Sequence, residues 1–142
     1  MSVELTLDFS ALNARLEKLA NPNLGELSLL LAAEGESQTR RRISEEKSSP
    51  DGTAWDVWSS SYAKTRHSGH SLLENEGDLV DSIISGVEGN DAVWGSNLVY
   101  AAAQNFGYDK TGLPAREFLG LSEENKKDMA DIIDDWLDEL MG

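Results

Sequence analysis

Cysteine is absent from the 142-residue sequence, so disulfide bonds, thiolate metal sites and cysteine nucleophiles are all excluded. No apolar run comes near the ~20 residues that a membrane-spanning helix requires, and we expect no membrane partner. Residues 1–8 carry neither a basic stretch nor an apolar core, so we expect no secretory signal. These absences are compatible with a protein that folds in a reducing cytoplasm.

Basic residues are also scarce. The sequence has 12 lysine and arginine residues against 26 aspartate and glutamate residues, which gives a formal net charge of −14. Such a charge repels nucleic acid over most of the surface, so we expect no sequence-specific binding of DNA. Four tryptophans, three tyrosines and three phenylalanines argue against disorder. The length predicts one domain over residues 1–142.

The N-terminal half shows both of the common periodicities. Apolar and polar residues alternate over residues 3–7, which predicts a half-buried strand. A short helix follows, with Asp8 or Ser10 as its predicted cap. A long helix is predicted over residues 25–46, with an apolar first half that is buried and a polar second half that projects.

The C-terminal half predicts a hairpin and two helices. Residues 79–87 alternate imperfectly and predict a β-hairpin at 82–96, around a four-residue loop with the sequence Glu-Gly-Asn-Asp. Residues 97–106 predict a short helix that ends at Gly107. Ser122 is the predicted cap of a final helix with one apolar face. The apolar positions of that helix are Met129, Ile132, Ile133, Trp136, Leu137 and Leu140.

These elements together predict an α+β fold, in which a small antiparallel sheet is packed by amphipathic helices. The long helix and the final helix are expected to cover one face of the sheet. Two turn-rich segments, residues 48–71 and 108–120, are expected to project as long loops. Loops of this length often carry function.

Few polar residues of the sequence have the spacing that a catalytic or metal site requires. His67, His70 and Glu74 could form a three-ligand metal site if they lay on a helix, which would suit a small metal-dependent hydrolase. Gly69 and its serine neighbours disfavour a regular helix, so solvated loop histidines are the preferred interpretation. The sequence contains no nucleophile elbow and no phosphate-binding glycine loop. We therefore expect no enzyme activity, no metal and no cofactor.

The one basic run of the sequence is Arg40, Arg41 and Arg42. It could contact DNA phosphate or an acidic neighbouring subunit. The favoured interpretation is an exposed helix end whose charges are balanced by Glu45 and Glu46.

The final helix carries a dense acidic face, which keeps a further alternative open. Such a face suits an acidic DNA mimic or a module that binds a basic partner with steep salt dependence. Its carboxylates belong to Glu123, Glu124, Asp128, Asp131, Asp134, Asp135, Asp138 and Glu139.

Aromatic residues are spread through the turn-rich segment that follows the long helix. Trp55, Trp58 and Tyr62 either fill the core or anchor a contact between subunits, because Trp and Tyr dominate the energetics of interfaces. Both interpretations stay open at this point.

Three segments of the sequence form an ordered set. The first reads Ser-Pro-Asp-Gly-Thr-Ala-Trp at residues 49–55 and is followed by residues 59–66. The second runs from residues 72–83, through Val-Trp-Gly-Ser-Asn, to Tyr-Ala-Ala-Ala-Gln-Asn-Phe-Gly at 100–107. The third reads Leu-Pro-Ala-Arg-Glu-Phe-Leu-Gly-Leu-Ser at 113–122. In order and spacing the set resembles the phage virion morphogenesis family, the tail-completion type of Mu-like phages and prophages.

The sequence departs from the family pattern at three turns. Asn75 and Glu76 stand before Gly77 where the family usually has Asp-Thr. Val99 and Glu117 each stand where the family often has proline. These differences resemble adjustments of turn conformation and remove no functional group.

The resemblance implies a structural role in tail completion or head–tail joining, at the head–tail junction of the virion and in the host cytoplasm during assembly. It implies a ring-forming homo-oligomer, a hexamer by analogy, with tail-tube, tail-terminator and head–tail connector proteins as partners. No catalytic residues follow from it. The residues expected at subunit or partner interfaces are Trp55, Trp58, Tyr62, Arg66, Tyr100, Phe106, Arg116 and Phe118.

Overall fold

The fold combines one small sheet with several helices, as a computed structural model that describes residues 2–16, 23–58, 72–73 and 77–141 shows. The predicted α+β class is therefore confirmed. The elements, in chain order, are β1 (Val3–Leu7), α1 (Ser10–Leu16), α2 (Leu24–Arg41), a π-helical turn (Arg42–Glu46), α3 (Asp78–Asp81), β2 (Ile83–Glu88), β3 (Asp91–Ser96), α4 (Ala101–Phe106), a 3₁₀ turn (Asp109–Thr111) and α5 (Glu123–Met141).

The sheet is antiparallel, with the strand order β1-β3-β2. Ser96 of the central strand β3 lies opposite Val3 on one side and Ile83 on the other. Residues 92–96 of β3 are all buried, whereas burial alternates along β1. The alternation that predicted a strand at residues 3–7 is thus the pattern of an edge strand with one covered face, and that prediction is confirmed.

The hairpin between β2 and β3 is confirmed, but its predicted four-residue loop is wrong. Glu88 and Asp91 pair with each other, so the loop consists of Gly89 and Asn90 alone. Gly89 has a φ of +63°, as the first loop position of a type II′ turn requires. The loop was predicted too long because Asp91 is of a residue type that is common in turns. Residues 79–81 lie in α3 and not in the strand.

Helix α2 packs against β2 and β3, and α5 in turn packs against α2. The helix starts at a cap, because the Asn23 side-chain oxygen accepts a hydrogen bond from the backbone N–H of Glu26 at 3.1 Å. Gly35 lies against the buried indole of Trp94, and a Cβ at this position would come within 2.3 Å of the ring. A glycine here therefore lets the helix approach the centre of the sheet.

One face of the second half of α2 and of the π-helical turn after it is buried, contrary to the prediction that this end of the helix projects. Gln38, Thr39 and Ile43 are each at most 1% exposed, while Leu29 and Leu30 in the apolar half are exposed. The reason is that α5 packs onto the C-terminal end of α2, where the side-chain amide of Gln38 donates to the carbonyl of Asn125 at 3.3 Å.

Helix α5 agrees closely with the cap and the apolar face that the sequence predicts for it. The Ser122 hydroxyl accepts from the Asn125 N–H at 3.0 Å, and the Asn125 side-chain oxygen accepts from the Ser122 N–H at 3.2 Å. This reciprocal cap confirms Ser122 as the start signal. Met129 and Trp136 are buried, whereas Leu140 is exposed. Within the described part of the chain, no helix has both the length and the apolar character needed to cross a bilayer.

Candidate interaction surface

Segments that carry the family resemblance meet in space. The indole N–H of Trp55 donates to the carbonyl of Glu117 at 3.1 Å, which joins the first segment to the third. The backbone N–H of Arg116 donates to the carbonyl of Gln104 at 2.7 Å, which joins the third to the second. We call this assembly the loop cluster. It comprises residues 49–55, 100–107 and 113–122.

Helix α4 holds the third segment through its one buried polar side chain. The side-chain oxygen of Asn105 accepts from the backbone N–H groups of Phe118 and Leu119, at 3.0 and 3.1 Å. Gly107 ends the helix with a φ of +80°, and a Cβ there would lie 2.9 Å from the backbone N of Ala115. The predicted stop at Gly107 is confirmed, and glycine also permits this close approach.

Arg42 anchors the far end of the same segment. Its Nη1 donates to the carbonyls of Phe118 at 2.8 Å and Gly120 at 3.2 Å, and its Nη2 donates to the side-chain oxygen of Asn125. The side chain is 1% exposed, and this burial lowers the pKa of its guanidinium. Arg42 thus joins the end of α2, the loop cluster and the start of α5.

The three arginines of the basic run therefore differ in their burial and in their bonding partners. The Nη2 of Arg40 donates to the carbonyl of Ile83 at 2.7 Å, and its Nε lies 3.8 Å from a carboxylate oxygen of Glu36. Arg41 is exposed. The predicted solvated helix end is therefore wrong for Arg42, because the loop cluster supplies carbonyls where water was expected.

Three of the predicted interface residues are buried within the chain. Trp55, Arg116 and Phe118 are at most 6% exposed. Arg116 donates through Nε to the carbonyl of Asp56 at 2.9 Å and through Nη2 to the carbonyl of Val57 at 3.3 Å. Their role between subunits stays a prediction. Inside the subunit they hold the second half of the 108–120 loop against the body, so only the first half of that loop projects.

The other predicted interface and metal-site residues are not shown to be buried anchors of this kind. Trp58 is half-buried. Among the residues that the structure describes, no group of three or more histidine, aspartate or glutamate side chains could hold a metal ion. The remaining interface and metal candidates lie outside the described residues: Tyr62, Arg66, His67, His70 and Glu74.

Tyr100 and Phe106 are exposed, and they belong to a larger apolar patch around α4. Val99 lies two residues before the helix and Phe106 is its last residue, and they are 79% and 70% exposed. Tyr108 and Val57 are also exposed. Partial burial raises the pKa of the Tyr100 phenol, and the neighbouring carboxylate of Asp78 raises it further. We call this patch the α4 surface: Val57, Val99, Tyr100, Phe106 and Tyr108.

Sequence reasoning missed several of these positions. Val57, Val99 and Tyr108 gave no periodic signal, because the helix beside them has only six residues. Asn105 offered one available signal: a polar residue within an otherwise apolar short helix points to a side chain that is bonded inside the fold.

Among the described residues, the buried polar side chains of Arg42, Asn105 and Arg116 bond to backbone groups of the loops. The chain belongs to the phage virion morphogenesis family, which it matches over residues 7–138. It is also similar to a protein of Escherichia phage Mu named "Putative capsid assembly protein G", with 27% identity over 146 residues. That match covers 91% of this chain and 94% of the Mu protein. No solved structure matches the chain.

Proposed function

We propose that the chain is a non-catalytic structural protein that acts in tail completion or head–tail joining of a tailed phage or prophage. The observation that carries this proposal is the family match over residues 7–138, which includes the whole loop cluster. The name of the phage Mu relative adds support for a role in particle assembly. The site of action would be the head–tail junction, reached from the host cytoplasm during assembly.

The proposal includes a ring of identical subunits around the DNA passage. A head-to-tail interface repeated by rotation closes a ring, and a hexamer would fit the symmetry expected of a tail tube. Tyr100 and Phe106 are exposed and therefore available for contacts with a neighbouring subunit or a tail protein. The expected partners are tail-tube, tail-terminator and head–tail connector proteins.

The acidic face of α5 suits a position beside passing DNA. Asp131, Asp134 and Asp135 are exposed along this helix. Carboxylates that line a channel repel the phosphate backbone, so DNA would slide past without binding. The same charge would oppose close packing of these faces, so the subunit contacts of the proposed ring would lie elsewhere on the chain.

Mass measurement across a range of concentrations, with and without tails, tests the proposal. The probe is a preparation of tails from particles assembled without the chain, and tails that already contain it serve as the matched control. We expect a ring or stoichiometric attachment to the first preparation and no attachment to the second. A chain that stays monomeric and binds neither tail preparation would contradict the assembly role.

A further inference from the structure

Hydrogen bonds hold the segments that carry the α4 surface next to helix α4. Val57 reaches α4 through Arg116, which bonds to its carbonyl and also donates its backbone N–H to the carbonyl of Gln104. Tyr108 follows α4 directly after one glycine and is fixed by two backbone bonds to Leu113, at 2.9 and 3.0 Å. The backbone at Val57 and Tyr108 is therefore bonded to neighbouring parts of the fold.

Large exposed apolar side chains grouped in this way mark a binding site. Val57, Val99 and Phe106 are the most exposed large apolar side chains among the described residues, at 81%, 79% and 70%. Scattered surface leucines need no explanation, but an apolar group with aromatic members is typical of an interface. Two tyrosines at its edge add contact area at low cost in side-chain entropy.

The border of this patch is acidic. Asp56 precedes Val57 in the chain, and Asp109 follows Tyr108, and both are exposed. The carboxylate of Asp78 acts electrostatically on Tyr100. One exposed cation, Lys110, stands among these carboxylates in the described residues. A partner that seats on the apolar centre must therefore bring basic groups to the rim.

We propose that the α4 surface docks a basic protein subunit with an apolar recess, and that a second copy of this chain is not its occupant. A second copy would carry the same formal charge of −14, and a copy that met this patch with its own α4 surface would add the same acidic rim. Like charges facing each other across an interface oppose association, whereas a basic rim accelerates it. This inference rests on the proposed function, since the basic subunit would belong to the tail or to the head.

The experiment measures binding of the full chain to tails, and separately to filled heads, each purified from particles made without it. Phe106→Glu should weaken binding by about tenfold or more, because it places a charge at the apolar centre. Leu29→Glu is the matched control, since Leu29 is an exposed apolar residue on α2. It should leave binding unchanged. Circular dichroism checks that both variants fold, and Val99→Glu provides an independent second variant.

Charge reversal tests the rim. Asp109→Lys should weaken binding several-fold at low salt and flatten its salt dependence, because surface charges interact within about 10 Å at 0.1 M salt. Asp131→Lys makes the same change in net charge on α5 and should have a smaller effect. Equal effects of the two variants would overturn the rim assignment, as would binding by the unmodified chain that tightens when salt is added.

The outcomes separate this inference from the proposed function. If the unmodified chain binds tails or heads and Phe106→Glu binds equally well, the docking surface is wrong and the assembly role stands. If Phe106→Glu abolishes ring formation and leaves attachment intact, the occupant is a second copy and the proposal fails. If the unmodified chain binds neither particle, the proposed function fails and this inference fails with it.

Discussion

Arg42→Met is the substitution that examines the interior of the molecule most directly. Methionine keeps much of the apolar stem of arginine but removes every N–H donor. Three oxygen acceptors would lose their arginine partner: the carbonyls of Phe118 and Gly120 and the side-chain oxygen of Asn125. Two of these bonds lie in fully buried surroundings, so water cannot readily replace the donor.

The expected cost follows from these bonds. Each buried acceptor left without a donor costs about 1–3 kcal/mol. The variant also no longer buries a charged group, a gain that offsets part of this loss. We therefore expect the free energy of unfolding to fall by about 3 kcal/mol, because two or three acceptors lose their donor while one buried charge is removed. For a chain of this length that corresponds to a Tm lower by roughly 10 °C.

Urea unfolding followed by tryptophan fluorescence measures this change. Arg41→Met is the matched control, because Arg41 is exposed and neighbours Arg42 in the same basic run. It should change the free energy of unfolding by less than about 0.5 kcal/mol. Equal effects of the two variants, or a gain in stability for Arg42→Met, would refute the claim that Arg42 ties the loop cluster to the helices.

Three further substitutions test individual contacts. Gly35→Ala should lower the free energy of unfolding by about 1–3 kcal/mol, because its methyl group meets the indole of Trp94, and a more stable variant in the same urea assay would disprove the close contact. Ser122→Ala should cost about 1 kcal/mol through loss of the α5 cap, and Ser122→Asp should restore stability; if it does not, the cap has another role. Asn105→Ala should leave the N–H groups of residues 118–119 without their acceptor, and their hydrogen exchange should accelerate; unchanged exchange would show that Asn105 does not hold the loop.

The elements with one dominant periodicity could be predicted from the sequence. The strand at residues 3–7 alternates because it lies at the edge of the sheet, and α5 repeats its apolar residues because one face meets α2. The stop at Gly107 and the cap at Ser122 follow from local backbone chemistry that needs no knowledge of distant residues.

Burial of polar residues could not be predicted in this way. Arg42 lies in a basic run that looks solvated, and its bonding partners are 76 to 83 residues away in the sequence. Trp55 and Arg116 resembled interface anchors for the same reason, since nothing local showed that each would bond to a backbone carbonyl of another loop. Contacts between residues far apart in the sequence determine which polar side chains are buried, whereas local periodicity determines where helices and strands form.

The α4 surface lies between these two cases. Phe106 and Tyr100 were predicted as interface residues through the family resemblance, and the structure leaves both exposed. Val57 and Tyr108 could be recognised as part of this surface only from the structure, in which they are exposed and lie near α4. A six-residue helix is too short for its outward face to be read from periodicity.

Electron microscopy of particles produced by a phage that lacks this chain tests the central claim most directly. The proposed role predicts that filled heads and tails that lack this chain accumulate separately, and that adding the purified chain to such a lysate restores joined, infectious virions. Joined and infectious virions formed in the absence of the chain would contradict it.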